Sequence, residues 1–201
     1  MSSDDHVKIR WRSDGDPLPG GPADLEAEDV RRGVDPDTFR RAMAHLAAPL
    51  IVLTCYDSAG RAWGLTVNAV TSLSLTPPMV LVCLDRRGRS HDIVIGAEAL
   101  CLHVLGPGEQ DLAFRFAARE ERFREVRVVH GRVPELTDVS VRILCTPCRR
   151  LDGGDHTILL ALVEEVIAAD GSGGGLVWHH RSPARAVPVE PVVSEPRAGD
   201  V

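Results

Sequence analysis

The sequence predicts a mainly β protein, an antiparallel sheet closed into a barrel with short helices between some of its strands. After Pro49, runs of aliphatic and β-branched residues alternate with turn residues such as 58–61 and Pro77-Pro78. Six or more such strands favour a barrel, because closure removes exposed sheet edges. A dinucleotide-binding Rossmann fold is disfavoured, because the sequence has no strand-helix-strand unit with a glycine fingerprint.

Composition divides the chain into three parts. Residues 1–34 are rich in Asp, Gly, Pro and Ser and are predicted to form a flexible N-terminal arm. Residues 35–181 are predicted to form the folded domain. It begins with a helix at about 36–46, for which Asp35 is the N-cap. Residues 182–201 repeat proline every few positions and are predicted to form an extended tail.

The elements of the domain follow from hydrophobic periodicity. In the first helix Phe39, Met43 and Leu46 lie on one face. Two further segments have helical spacing, residues 89–97 and 108–117. Strands are predicted at 49–57, 62–68, 70–75, 79–85, 99–105, 139–151, 156–169 and 176–180.

The charge pattern excludes several classes of protein. The net charge is −6, and the sequence contains no run of basic residues that could follow a phosphate backbone. Nucleic acid is therefore not an expected partner. No apolar run reaches the length of a membrane span, and we expect a cytoplasmic protein with no membrane partner. Lys8 is the only lysine. A pyridoxal phosphate enzyme and a Walker phosphate loop are therefore both excluded.

The cysteine and histidine pairs do not indicate a metal site. The chain has five cysteines, an odd number, and most lie in apolar runs, so we interpret them as reduced core thiols. Cys145 and Cys148 form a C-x-x-C motif without a second pair of ligands, and they lie in a predicted strand rather than at a helix start. His179 and His180 are adjacent on a predicted strand, so we expect their side chains to point apart. We expect no metal.

The most informative segment is 64–91. Hydroxyl residues and leucines alternate over 71–76, so we expect the leucines to face the core. The hydroxyl face then suits either the binding of a planar polar ring or an ordinary solvated strand face. The loop 86–91 contains three arginines and begins a helix at Ser90. Such a loop is typical of a phosphate site, although a charged surface turn has the same composition.

Taken in order, these motifs resemble the flavin reductase family, whose fold is the FMN-binding split barrel. A glycine and small-polar strand, a Ser-x-Ser-x-x-Pro-Pro turn, an apolar strand and an Arg/Ser loop follow one another within 64–91. The resemblance covers about residues 36–181 and implies an antiparallel Greek-key split β-barrel with short flanking α-helices. Its other landmarks are Phe39-Arg40, Arg115-Phe116-Ala117, Cys145, Gly154-Asp155-His156 and Glu164-Glu165-Val166.

The resemblance also implies which residues hold the nucleotides. Much of the flavin contact is expected to be backbone, and no side chain is assigned as catalytic with certainty. The flavin positions are Trp63, Gly64, Leu65, Thr66, Cys83, Leu84, Asp85, Arg89, Ser90, Arg115 and Phe116. The nicotinamide positions are Asn68, Ala69, Gly154, Asp155 and His156.

His156 has a physical case of its own. An imidazole beside a glycine turn can donate a hydrogen bond to a carboxamide or a phosphate. The alternative is a structural hydrogen bond at the start of a strand.

The implied function is an NAD(P)H-dependent flavin reductase that supplies reduced FMN or FAD to a partner monooxygenase, with NADH or NADPH as the donor. Hydride transfer needs two stacked rings and little acid or base chemistry. The sequence accordingly shows no nucleophile triad and no paired carboxylates of matched context. The family also implies a homodimer with the flavin near the interface.

Three departures from the family pattern leave other functions open. They are Ala47-Ala48-Pro49 in the first strand, Val70 in place of an aromatic residue, and His103 in place of asparagine. One alternative is a split-barrel protein that binds flavin without reductase activity. Another is a flavin-dependent oxidase that acts on its own substrate. The departures also leave open the choice between FMN and FAD.

Overall fold

Among the residues that the structure describes, the main sheet has seven strands, and every neighbouring pair is antiparallel, in the order β3-β2-β6-β9-β10-β5-β4. The computed structural model describes residues 33–119, 122–168 and 174–189. The strands are β1 (Ala48–Pro49), β2 (Ile51–Tyr56), β3 (Ala62–Val67), β4 (Val70–Leu75), β5 (Pro78–Asp85), β6 (Leu100–Val104), β7 (Val128–His130), β8 (Pro134–Leu136), β9 (Val141–Gly153), β10 (His156–Ala168), β11 (Gly175–His179) and β12 (Ser182–Ala186). The helices are α1 (Pro36–Met43), α2 (His91–Gly96) and α3 (Gln110–Ala117).

The order of the strands requires the sheet to curl. Strands β3 and β4 are at opposite ends of the order, yet only residues 68 and 69 separate them. A flat sheet of this width would hold its edges roughly 29 Å apart, whereas the link spans only about 10 Å. The sheet therefore curls into a barrel whose edges meet at this link, where the Cys83 N–H donates to the Ala69 carbonyl at 2.9 Å. The predicted antiparallel barrel is confirmed.

Strand β2 is buried on both faces, because it separates two apolar clusters. Ile51, Leu53 and Cys55 belong to the cluster shared with β5, β6 and β10. Val52 faces the opposite way and packs with Phe116 of α3 and with β8. Alternation along one strand thus covers the barrel interior and attaches α3 to its outer face.

His103 ties three strands together inside the structure. It is fully buried on β6. The Leu136 N–H donates to its Nε2 at 2.9 Å, so Nδ1 carries the proton and donates to the Val52 carbonyl at 3.0 Å. Burial lowers the pKa of His103 from 6.5 to about 4, and the ring is neutral at neutral pH.

The cysteines are free thiols, as the sequence predicts. Cys55, Cys101 and Cys145 are buried, and burial raises the pKa of each to about 12. Cys83 and Cys148 are partly buried. These groups stay protonated at neutral pH, which makes them poor nucleophiles and poor metal ligands.

The chain divides into two compact units. The first helix belongs to the unit that ends at Met43, and the sheets belong to the unit that begins at Ala44. The Asp35 carboxylate accepts from the N–H groups of Asp37 at 3.1 Å and Thr38 at 2.9 Å, so the predicted N-cap is confirmed. The helix ends at Met43, before the predicted 46, and none of its residues is buried. Apart from residues 33 and 34, the predicted arm lies outside the described residues.

All eight predicted strands are present, and the structure adds four short ones. The last predicted strand ends at His179, and the expectation that His179 and His180 point apart is wrong, because their ring centroids lie 4.2 Å from each other. Strands β1, β7 and β8 have two or three residues each, too few for a period to be visible. Strand β12 lies within the predicted tail and pairs with β11, so regular structure extends five residues past 181. Residues 190–201 of that tail lie outside the described part of the chain.

The expectation that the leucines of 71–76 face the core is wrong. Leu73 is 44% exposed and Leu75 is 85% exposed. Strand β4 is the last strand of the sheet, and its register shifts between Ser72 and Ser74. The strict alternation on which the expectation rested is interrupted by this irregularity.

Candidate functional site

An open cleft of about 420 Å³ lies where the two edges of the barrel meet. One wall comes from the end of β3 and from α3, and the other from the end of β5, the loop after it and the start of β10. Its lining residues are Leu65, Thr66, Val67, Asn68, Ala69, Cys83, Leu84, Asp85, Gly88, Arg89, Ser90, His91, Phe116, Ala117, Arg122 and His156.

The free edge of β3 presents backbone groups to its surroundings. The Gly64 carbonyl is directed away from β2, because it accepts from Arg122 Nη1 at 2.9 Å. Backbone groups two residues apart point to the same edge of a strand, so the N–H and C=O of Thr66 are also directed outward. The Thr66 side chain is already engaged, since its hydroxyl donates to the Ala113 carbonyl of α3 at 2.6 Å. The edge can therefore bond a planar polar ligand through its backbone.

Gly64 is where the cleft wall requires a glycine. A Cβ on this residue would lie 2.5 Å from Cε1 of Phe116, which is itself buried. Phe116 also contacts Phe123 edge to face, with ring centroids 5.1 Å apart. Close packing of α3 on β3 thus depends on the missing side chain.

The loop after β5 is ordered by Asp85. Its carboxylate accepts from the Arg87 N–H at 2.9 Å, and its carbonyl accepts from the Gly88 N–H at 3.0 Å. The backbone hydrogen bond from Arg87 is the main cause that lowers the pKa of Asp85. This tight turn brings Arg89 and Ser90 to the cleft, and Ser90 is the N-cap residue of α2.

The turn between β9 and β10 holds His156 at the cleft. Gly154 has a φ of 69°, in the left-handed region that favours glycine. The Asp155 carboxylate accepts from His156 Nδ1 at 2.7 Å and lies 3.5 Å from Arg87 Nη2. The hydrogen bond from His156 is the main cause that lowers the pKa of Asp155. The Arg86 N–H donates to the Asp155 carbonyl at 3.1 Å, which joins this turn to the loop after β5.

Most of the predicted nucleotide-binding residues line the cleft. Five of the sixteen predicted residues do not line it, namely Trp63, Gly64, Arg115, Gly154 and Asp155. Gly64 and Trp63 lie behind the wall and contact residues that do line it. Gly154 and Asp155 belong to the turn that positions His156.

Arg115 lies elsewhere. It lines a second, smaller cavity of about 160 Å³ together with Asp111 and Arg127, and its guanidinium donates to the Arg124 carbonyl. On α3 it is adjacent to Phe116, which lines the cleft, and consecutive helical residues face different directions.

Two polar residues of the cleft were not found from the sequence. Arg122 follows α3, and its guanidinium lies 4.8 Å from the centre of the Trp63 ring. His91, on α2, bonds Thr157 of β10 through Nε2 at 2.9 Å. Nothing in the local sequence distinguished Arg122, because it is one of several arginine and glutamate residues in 119–127. His91 was visible as part of the 86–91 loop but was not assigned a role.

Within the described residues, no group of three or more His, Cys, Asp or Glu side chains is arranged to hold a metal ion. None of the helices in that part of the chain combines the length and apolar character needed to cross a membrane.

The chain matches a family model described as "Flavin reductase like domain" over residues 43–186. It is 33% identical over 171 residues to the NADH:riboflavin 5'-phosphate oxidoreductase of Streptomyces pristinaespiralis, a match that covers 83% of this chain and 97% of the relative. It is also 33% identical to the reductase component of the 4-nitrophenol 4-monooxygenase/4-nitrocatechol 2-monooxygenase of Rhodococcus opacus, covering 72% and 79% of the two chains.

The fold is also similar to that of a solved oxidoreductase structure. The NADH:FAD oxidoreductase SgcE6 of Streptomyces globisporus C-1027 superposes with a TM-score of 0.70 at 27% identity, covering 78% of this chain and 98% of that one. The same relative, in complex with NAD and FAD fragments, superposes equally well, with a TM-score of 0.70 at 28% identity.

Proposed function

This chain belongs to the flavin reductase-like family, and we propose that it reduces FMN or FAD with a hydride from NADH or NADPH. It is therefore an NAD(P)H:flavin oxidoreductase. The observation that carries the proposal is the cleft at the barrel edges, because it gathers eleven of the sixteen residues assigned to the two nucleotides.

The residues of the cleft fit a flavin. The Thr66 backbone at the free edge of β3 supplies a donor and an acceptor for a planar ring that carries both kinds of group. Phe116 and Leu65 supply apolar surface beside it. Arg89 supplies a positive charge for a phosphate, and it ion-pairs with no carboxylate among the residues described.

When bound, the flavin supplies the redox chemistry, accepting a hydride from nicotinamide. The protein's task is to hold two rings together and to exclude water. His156 lines the cleft and is held by Asp155, and we propose that its ring hydrogen-bonds a carboxamide or a phosphate of the nicotinamide nucleotide. Asn68 and Ala69 occupy the link between the two edges and border the same space. None of these roles requires a strong acid or base.

The direct test is to follow the nicotinamide absorbance band after mixing purified protein, NADH and either FMN or FAD, and then to repeat the assay with NADPH. We expect oxidation that depends on added flavin. Flavin binding without nicotinamide oxidation would support a non-reductase flavin-binding protein instead. A protein that remains yellow through dialysis and consumes oxygen with an organic substrate would support an oxidase.

We further propose that the reduced flavin passes to a separate monooxygenase. The support is that one relative carries the name of a monooxygenase reductase component. Rapid loss of reduced flavin from the protein on dilution, and coupling to an added flavin-dependent monooxygenase, would test it. The proposed setting is the cytoplasm.

A homodimer is the proposed assembly. Exposed apolar side chains on β4 and β10 support it, with Leu75 at 85% and Val166 at 57% exposure. Monomers rarely leave such groups of large apolar residues open to water. Light scattering of the purified protein should give twice the mass of one chain.

A further inference from the structure

Two guanidinium groups share the cleft. Arg89 comes from the loop after β5, and Arg122 comes from the segment after α3. Burial is the main cause that lowers the pKa of Arg122, and the charge of Arg89 is the second. Neither guanidinium ion-pairs with a carboxylate within the described residues, although ion pairs are common elsewhere in the molecule.

Arg122 is held in one orientation by three contacts. Its Nη1 donates to the Gly64 carbonyl at 2.9 Å, and its Nε donates to the Ala118 carbonyl at 2.8 Å. The guanidinium also lies over the Trp63 ring at 4.8 Å. Among the described residues these partners are neutral, so they fix the position of the guanidinium without compensating its charge.

Like charges that meet in a partly desolvated cleft repel one another, and their repulsion is relieved when an anion binds between them. Of the groups on a bound nucleotide, a phosphate is the anion that best matches a guanidinium fork. The contact with Gly64 places Arg122 beside β3, the strand whose free edge suits the flavin ring. The nicotinamide residue His156 stands on the other wall, where it pairs with Asp85 in the sheet.

We propose that Arg122 is a specificity-determining residue, which together with Arg89 binds the phosphate of FMN, or the phosphate of FAD nearest the ribityl chain. The proposal rests on the proposed function, and it adds a residue and a ligand preference to it. A flavin with a phosphate is then preferred over riboflavin, which lacks one.

The test is a binding experiment with two ligands. FMN and riboflavin are titrated into the wild type and into Arg122→Gln, and the dissociation constants are read from quenching of flavin fluorescence. Loss of one charge-assisted contact should weaken FMN binding about tenfold, whereas riboflavin binding should change by less than about twofold. Arg122→Lys keeps the charge without the fork and should recover part of the loss.

Arg119→Gln is the matched control. Arg119 is exposed and does not line the cleft, so this variant makes the same change of charge three residues away. It should bind both flavins as the wild type does. If Arg119→Gln weakens FMN as much as Arg122→Gln does, the effect is one of net charge and the proposal is overturned.

Other outcomes also decide the question. Equal weakening of FMN and riboflavin would mean that Arg122 only supports the wall at Gly64 and Trp63. An unchanged FMN constant with a raised KM for NADH would assign Arg122 to the nicotinamide nucleotide. Both results overturn the proposal. If Arg122→Gln fails to fold, FMN and riboflavin binding are compared in Arg122→Lys instead. A lysine variant that binds FMN with wild-type affinity and keeps the full preference over riboflavin would overturn the proposal. Absence of NADH oxidation in the wild type would defeat the proposed function but not the binding result.

Discussion

His103 and His156 both lie on strands of the same sheet, and both bond an oxygen through Nδ1, yet their surroundings differ. His103 is fully buried, and its two ring nitrogens bond backbone groups of β2 and β8. The side chain of His156 is 40% exposed, lines the cleft and bonds a carboxylate. Burial among neutral partners makes His103 a structural tie, whereas exposure beside Asp155 leaves His156 available to a ligand.

The largest expected effect is on stability, from His103→Leu. The buried Val52 carbonyl and Leu136 N–H lose their partner, and each such loss costs about 1–3 kcal/mol. Urea denaturation should show a loss of about 3 kcal/mol in the free energy of unfolding, while the KM for NADH of the folded protein stays near the wild-type value.

His103→Asn is the control for that substitution, because asparagine retains one donor and one acceptor. It should lose clearly less stability than His103→Leu. Equal losses from the two variants would mean that packing, rather than hydrogen bonding, accounts for the role of His103.

The second effect is a dependence of stability on pH. The pKa of His103 is about 4 in the folded protein, whereas the ordinary value for histidine is 6.5. The unfolded chain therefore binds the proton first, and the contribution of the neutral ring is fully present above pH 6.5 and is lost as pH falls toward 4. The difference amounts to roughly 3 kcal/mol. The stability gap between wild type and His103→Leu should narrow over this range, and a constant gap would contradict the assignment.

A smaller effect is expected from His156→Ala, and on binding rather than stability. Removal of one hydrogen bond to the nicotinamide nucleotide should raise the KM for NADH about tenfold, with little change in flavin affinity. Steady-state kinetics at saturating flavin measure it. Unchanged kinetics together with easier unfolding would make His156 a structural residue like His103.

The smallest effect is expected from Asp155→Asn, which acts through His156. Asp155 does not line the cleft, so its loss should raise the KM for NADH only about twofold, by loosening the imidazole. In the His156→Ala background the same change should have no further effect. Asp152→Asn is the control, because Asp152 pairs with Arg86 instead of His156. An equal effect of the two substitutions would point to the charge of the turn alone.

The sequence was informative about strands, because alternation and turn residues act over a few positions. All eight predicted strands of the domain are present, and the helices at 91–96 and 110–117 lie within the segments predicted for them. Strands β7 and β8 were missed because three residues contain no period. The leucines of β4 were misplaced because the register of this edge strand shifts between Ser72 and Ser74, and no local pattern reports that shift.

Some residues of the cleft were also predictable from local sequence, and others were not. The loop with Arg89 and Ser90 and the turn before His156 carry turn chemistry that is visible locally. Arg122 is distant in sequence from both and is one of several arginines in its segment. It reaches the cleft because α3 packs on β3, with Gly64 making room for Phe116. Arg115 lies in the other cavity because its neighbour Phe116 occupies the face of α3 that is directed toward the cleft.

By itself the sequence determined the antiparallel β class, the order of the strands along the chain, the loop that carries Arg89 and the turn before His156, because these depend on interactions among near neighbours. Only the tertiary structure decided that the edges of the sheet meet at residues 68–69 and that Arg122 joins Arg89. It also decided that one histidine is sealed in the core while another faces the cleft. Those outcomes depend on the curl of the whole sheet and on the packing of α3, which bring together residues that no local pattern links.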